Sequence, residues 1–165
     1  MINKPVRISE VADQPEVIQG NSVTKPFHTG DSTKPVTLTV HITSFSFLRG
    51  LPVDLGGNGG GFIFDCRALP NPGRYDVYRQ ATGKDEAVIG FLKAEPPMDE
   101  FLSNVYALVD QSVARYLHRN FTHLMVSFGC TGGQHRSVYC AEALSRHLKD
   151  RFPVNIIISH REMEK

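Results

Sequence analysis

Strand-like and helix-like runs alternate along this chain, which predicts a single-domain, three-layer α/β fold with a mainly parallel sheet covered on both faces. Three observations carry that expectation. The run PVTLTVHITSFSF is dense in β-branched residues, with Val36, Thr37, Thr39, Val40, Ile42 and Thr43. The run HLMVSFG, from His123, has too few polar residues for a solvent-facing edge strand. Between them, Phe101, Val105, Leu108, Val109, Val113 and Leu117 recur at three- and four-residue spacing, the period of an amphipathic helix.

Taken in order, the chain opens with a polar stretch punctuated by Pro5, Pro15, Gly20, Pro26 and Gly30. No hydrophobic period survives there, so residues 1–35 read as a flexible leader, with a weak strand signal at Val6–Ile8. The domain is expected over residues 36–165. Its first strand is the β-branched run above. The glycines from Gly56 to Gly61, broken by Asn58, then form a loop leading into a short strand, GFIFDCR, and Pro70 and Pro72 stop regular structure beyond it. A first helix spans about Asp85–Lys93 and ends at Pro96-Pro97. A second runs from Met98 to His118. After the HLMVSFG strand, a third helix from about His135 to Arg151 buries Val138, Ala141, Ala143, Leu144 and Leu148, and PVNIIIS supplies the last strand.

The totals narrow the function. Eighteen basic and 17 acidic residues leave a net charge of +1, so no global field draws the chain to nucleic acid, and any basic patch is local. The basic residues Arg115, His118, Arg119, Arg146, His147, Lys149 and Arg151 sit on two helix ends. They form either a solvated face or an RNA-contacting stripe. Three cysteines, Cys66, Cys130 and Cys140, cannot all pair with one another, no signal peptide is recognisable and no run reaches the length of a membrane span. A reduced, cytoplasmic protein with no membrane contact is the expectation.

In parallel sheets, ligands sit beyond the C-terminal ends of the strands. Three such ends carry unusual residues: Ser44, Ser46 and Arg49 after the first strand, Asp65 and Arg67 after the second, and Cys130 to Ser137 after the third. The third, GCTGGQHRS, weighs most. Gly129, Gly132 and Gly133 let backbone approach a ligand closely. The helix that follows begins with amides lacking intrahelical partners. Thr131 and Ser137 add hydroxyls, His135 an imidazole and Arg136 a planar fork suited to phosphate oxygens. Together they describe an anion site; the plainer alternative is a turn whose polar groups only cap the helix. Asp65 and Arg67 share a strand face and form either an ion pair or ligand contacts. Cys66 and Cys140 read as core.

The same stretch has the spacing Cys-x5-Arg-Ser, that of the phosphate loop in cysteine-dependent phosphatases. There Cys130 would attack phosphorus while Arg136 and the loop amides hold the oxygens. Asp65 or Asp54 would have to serve as the general acid. No paired-ligand spacing supports a metal site, and no cofactor is implied. The Gly56–Gly61 run lacks the Lys-Ser/Thr ending of a phosphate-gripping loop.

At GCTGGQHRSVYCAEAL the sequence resembles the C-terminal domain of the RapZ (YvcJ-like) family. The resemblance extends through SFSFLRGLPVD, FIFDCRALPNP and TGKDEAVIGFL to SHREMEK, covering roughly Val36 to Lys165. It implies a phosphofructokinase-like α/β fold that senses a phosphosugar, with an amino-sugar phosphate as ligand class, and that binds RNA in some members. It places the ligand against Cys130, Thr131, Gly132, Gly133, His135, Arg136 and Ser137, with Arg67 and Ser44 from neighbouring strand ends and Arg49 beside them. Full-length members place a P-loop nucleotide-binding domain first. No G-x-x-x-x-G-K-[ST] occurs here, so the expectation is the C-terminal domain standing alone. The partners left open are a small phosphorylated ligand, RNA, another protein and a second copy of the chain, and the alternatives to a sensor are a phosphatase, an RNA-binding adaptor or a nucleotide-binding protein.

Overall fold

A computed structural model of the protein describes residues 37–163. The expected leader, the Val6–Ile8 strand signal and the last two residues lie outside the described residues. Four strands form one all-parallel sheet: β1 (Thr39–Ser46), β2 (Phe62–Asp65), β3 (His123–Cys130) and β4 (Asn155–His160), in the order β2-β3-β1-β4. The pairings Ser46 with Cys130, Ser44 with His160 and Asp65 with Gly129 bring the expected strand ends level with one another.

One face of the sheet holds the core. Val40 and Ile42 of β1 and Leu124, Val126 and Phe128 of β3 are buried there, with Phe62 and Phe64 of β2 packed alongside. Phe64 stacks on Phe128 and meets Phe101 edge-on. The three helices α1 (Glu86–Lys93), α2 (Pro96–His118) and α3 (Arg136–Arg151) contribute to that same core through Val88, Leu92, Met98, Val105, Leu144 and Leu148. Cys66 and Cys140 belong to it too, and Cys140 together with burial pushes the Cys66 thiol well above its ordinary range. The core reading of both cysteines therefore stands.

On the second face the described residues give only partial cover, and Ile63 of β2 and Ile157 of β4 are exposed there. The connection from β1 to β2 runs across the sheet in the opposite sense from the two helical crossovers. A right-handed crossover therefore has to pass over the other side. There, Gly56 and Gly61 lie so close to His123 and Met125 that a Cβ on either would clash. The glycine run is tied to an internal anion: Asp54 accepts from the amides of Gly56 (2.9 Å), Asn58 (2.8 Å) and Gly60 (3.3 Å) and lies 2.8 Å from His123 Nε2. Those amides, Gly56 first, and the imidazole hold the Asp54 carboxyl below the usual carboxylate range. The run is thus a loop into a strand, with the amides of Gly56, Asn58 and Gly60 already given to Asp54.

One boundary differs from expectation. Pro96 and Pro97 do not end α1; they form the first turn of α2, where a missing N–H costs nothing and the fixed φ suits the helix. Ala94 and Glu95 make the break instead, and α1 stops at Lys93.

Candidate functional site

The Cys130–Ser137 turn is anchored on two sides by side chains that point away from its mouth. Toward the sheet, the Ser46 hydroxyl donates to the Thr131 carbonyl, and Ser46 N–H donates to Glu162. Toward the segment after β2, Gln134 Nε2 donates to the carbonyls of Arg79 (3.1 Å) and Ala81 (2.6 Å). His135 Nε2 lies 2.9 Å from the Tyr78 carbonyl, and Gly83 N–H donates to Gln134 O. Beneath the turn, the buried Cys130 thiol accepts from Gly133 N–H and lies 3.2 Å from Ser137 Oγ.

These anchors leave the upper main chain unclaimed. Among the described residues the amides of Thr131, Gly132, Gln134 and His135 have no hydrogen-bond partner. Thr131 and Gly132 are exposed, and space around Gly132 is open where a side chain would stand. Gly133 differs. Its φ of 70° lies in the left-handed region, and a Cβ there would sit 2.9 Å from Ser46 N. The two adjacent glycines therefore serve different ends: Gly133 lets the turn close against β1, and Gly132 leaves its mouth clear.

Arg136 is 4 % exposed. Its Nη1 donates to the carbonyls of Arg67 (2.8 Å) and Leu69 (3.1 Å), stitching the start of α3 to the segment that follows β2. Nε is buried without any hydrogen-bond partner among the described residues, so only part of the fork is committed to the fold. Arg67 pairs with Asp65 (Nη2 to Oδ2, 2.6 Å) and lies 4.1 Å above the Phe47 ring. The Arg67 guanidinium holds the Asp65 carboxyl below its usual range. The ion pair is formed, and Arg67 also borders a cavity beside the turn.

Two neighbouring cavities open around the turn. One, of about 270 Å³, is lined by Arg79, Cys130, Gly132, Gln134 and His135 together with Gly73. The other, of about 390 Å³, is lined by Arg67, Ala68, Leu69, Pro70, Arg74 and Pro97. Asn71, Thr131 and Arg136 line both. Neither has an aspartate or glutamate in its lining.

Of the residues expected at the site, Cys130, Thr131, Gly132, His135, Arg136 and Arg67 border these cavities. Gly133 and Ser137 lie beneath the turn and shape it. Ser44 and Arg49 border neither cavity. Ser44 is buried with its hydroxyl 2.8 Å from His160 Nδ1, and Arg49 pairs with Glu162 at 3.0 Å. Asn71, Arg74, Arg79 and Gln134 escaped the sequence reading. A signal was present in NPGR, because Asn71 caps the short 3-10 turn Pro72–Arg74 through Gly73 N–H and so presents Arg74.

The general-acid candidates fare differently from the loop. Asp54 contacts His123, the first residue of β3, whereas Cys130 is its last, so Asp54 lies at the opposite end of the strand. Asp65 is engaged by Arg67. Part of the basic stripe is also spoken for, since Asp110 lies 2.8 Å from His147 and 3.1 Å from Arg151. Among the described residues, no three His, Cys, Asp or Glu side chains converge as a metal site would require, and no helix is long and apolar enough to cross a membrane.

Comparison with known proteins agrees with the motifs. The family model for the RapZ C-terminal domain matches residues 38–164. Proteins called nucleotide-binding protein are similar over most of the chain. One from Fervidobacterium nodosum is 38 % identical over 128 residues (78 % of this chain, 43 % of that protein). One from Methylococcus capsulatus is 39 % identical over 127 residues (76 % and 41 %), and one from Pseudothermotoga lettingae is 40 % identical over 126 residues (76 % and 43 %). The chain thus spans about two fifths of the length of these relatives. With the family model covering the whole sheet and the turn at its centre, the chain belongs to the RapZ C-terminal domain family.

Proposed function

We propose that residues 36–165 form a binding or sensor domain for a small phosphorylated ligand, of the amino-sugar phosphate class, held at the Cys130–Ser137 turn. The observation that carries this is the set of unpartnered amides on Thr131, Gly132, Gln134 and His135, in the turn that leads into α3. Their residues line a cavity that Arg136 also borders and that has no carboxylate in its lining, and the space beside Gly132 is open. Unpaired amides and the positive end of a helix favour a phosphate dianion there. The relatives' name, nucleotide-binding, fits the same phosphate chemistry. Three unpaired cysteines fit a reducing compartment, and we place the protein in the cytoplasm. An adaptor role toward RNA, another protein or a second copy would add to this binding site rather than replace it.

Calorimetric titration with glucosamine 6-phosphate tests the proposal. A charge-assisted hydrogen bond contributes roughly 1.5–3 kcal/mol, so Arg136→Ala should weaken binding by about tenfold to a hundredfold. Arg136→Lys should recover only part, because an ammonium lacks the two-pronged geometry. Unchanged affinity in Arg136→Ala would place the ligand elsewhere.

One observation favours a second reading, a cysteine phosphatase. Gly133 N–H and Ser137 Oγ both contact Cys130 Sγ, as groups at the base of a nucleophile loop would. Against it, neither cavity has a carboxylate in its lining, and Asp65, one of the two candidate acids, is paired with Arg67. No turnover of an aryl phosphate is expected; turnover that disappears in Cys130→Ser would establish the phosphatase instead.

A further inference from the structure

We propose that the ligand carries two phosphate groups, one on each side of Arg136, and is a small amino sugar phosphorylated at both ends. This rests on the phospholigand reading of the Cys130–Ser137 turn and extends it. The two cavities share a wall made of Asn71, Thr131 and Arg136. A single phosphate at the Gly132 mouth would use only the first of them. Each measures near the lower end of the range for small-molecule sites, roughly 300–1,000 Å³, and the pair together reaches its middle.

Charge is arranged the same way. The first cavity has the turn amides and Arg79, whose guanidinium pairs with Asp76. The second has Arg67, countered by Asp65, and Arg74, which is exposed and has no ion-pair partner among the described residues. Arg74 is therefore an uncompensated cation bordering a cavity with no carboxylate in its lining. Between the two, Arg136 is more than nine-tenths buried, with Nε lacking a hydrogen-bond partner. A buried donor without an acceptor is costly unless an anion comes close enough to balance it. A ligand bridging the shared wall brings negative charge to both sides of Arg136 and gives Arg74 a counter-charge.

The test compares glucosamine 6-phosphate with glucosamine 1,6-bisphosphate by calorimetry on the full chain, so that the second phosphate is the sole difference. The bisphosphate is expected to bind at least about tenfold more tightly, the gain of one additional charge-assisted contact. Arg74→Ala, an exposed change that leaves the core untouched, should bring the bisphosphate down to the monophosphate's affinity, and Arg74→Lys should restore part of the gap. Equal affinities in the wild-type protein, or an advantage that survives Arg74→Ala, would overturn the two-phosphate ligand. If both sugars bind alike and Gly132→Val abolishes both, the phosphate turn stands and only this extension falls. If neither binds, the phosphate reading falls with it.

Discussion

Gly133→Val is expected to cost the domain about 2–5 kcal/mol of stability, the largest effect of any single change in the turn. Two terms contribute. A β-branched residue held at φ 70° sits in the left-handed region, a cost of roughly 1–2 kcal/mol. Its Cβ would also press on the main chain of β1, 2.9 Å from Ser46 N and 3.1 Å from the Phe45 carbonyl carbon, and on the Glu162 side chain. Backbone at the end of a central strand cannot give way as a surface side chain can, and overpacking of this kind costs roughly 1–3 kcal/mol. Thermal unfolding reads the result: a melting temperature lower by roughly 5–15 °C for a chain of this size. A shift below about 2 °C would mean that the turn does not close against β1 as described.

Gly132→Val, one residue earlier, is expected to behave in the opposite way. No φ strain attaches to this position, and a Cβ there meets nothing within 4 Å, so the melting temperature should stay within about 2 °C of the wild type. The added isopropyl group nonetheless stands in the mouth of the turn, between an approaching phosphate and the amides of Thr131, Gly132 and Gln134. Losing two such contacts to a charged oxygen corresponds to roughly a hundredfold or more in affinity. This variant separates binding from folding more cleanly than Arg136→Ala, because Arg136 also holds the Arg67 and Leu69 carbonyls. Calorimetry with glucosamine 6-phosphate alongside a melting curve reads both quantities. Retained affinity with an unchanged melting temperature would remove the ligand from this turn.

The contrast between the two glycines shows what sequence could and could not convey. The alternation of β-branched and helical runs predicted the parallel sheet, and Cys130, the glycines and Arg136 were legible because a strand, a turn and a helix start follow one another without interruption. Residue type did not disclose partners. Ser44 looks like a strand-end hydroxyl, yet it lies under the surface against His160. Arg136 looks like a free fork, yet Nη1 is taken by two carbonyls of the segment after β2, which sequence alone cannot place beside α3. Arg74 and Arg79 sit on short 3-10 turns, Pro72–Arg74 and just after Asp76–Tyr78, which have no hydrophobic period to reveal them. In the sequence Pro96-Pro97 reads as a stop, because proline breaks a helix interior. The same two residues also suit a helix start, and only the position of Glu95 decides between the two.

A phosphate held on the open amides of the turn would be seen first in the amide chemical shifts. In a titration of the isotope-labelled protein with glucosamine 6-phosphate, the N–H resonances of Thr131, Gly132, Gln134 and His135 should move downfield and saturate together. New hydrogen bonds to a charged acceptor form at those groups. Resonances of the cleft between α2 and α3, around Ser103, Tyr106 and Arg146, should stay in place. Saturable shifts confined to that cleft, with the four turn amides unmoved, would contradict the account.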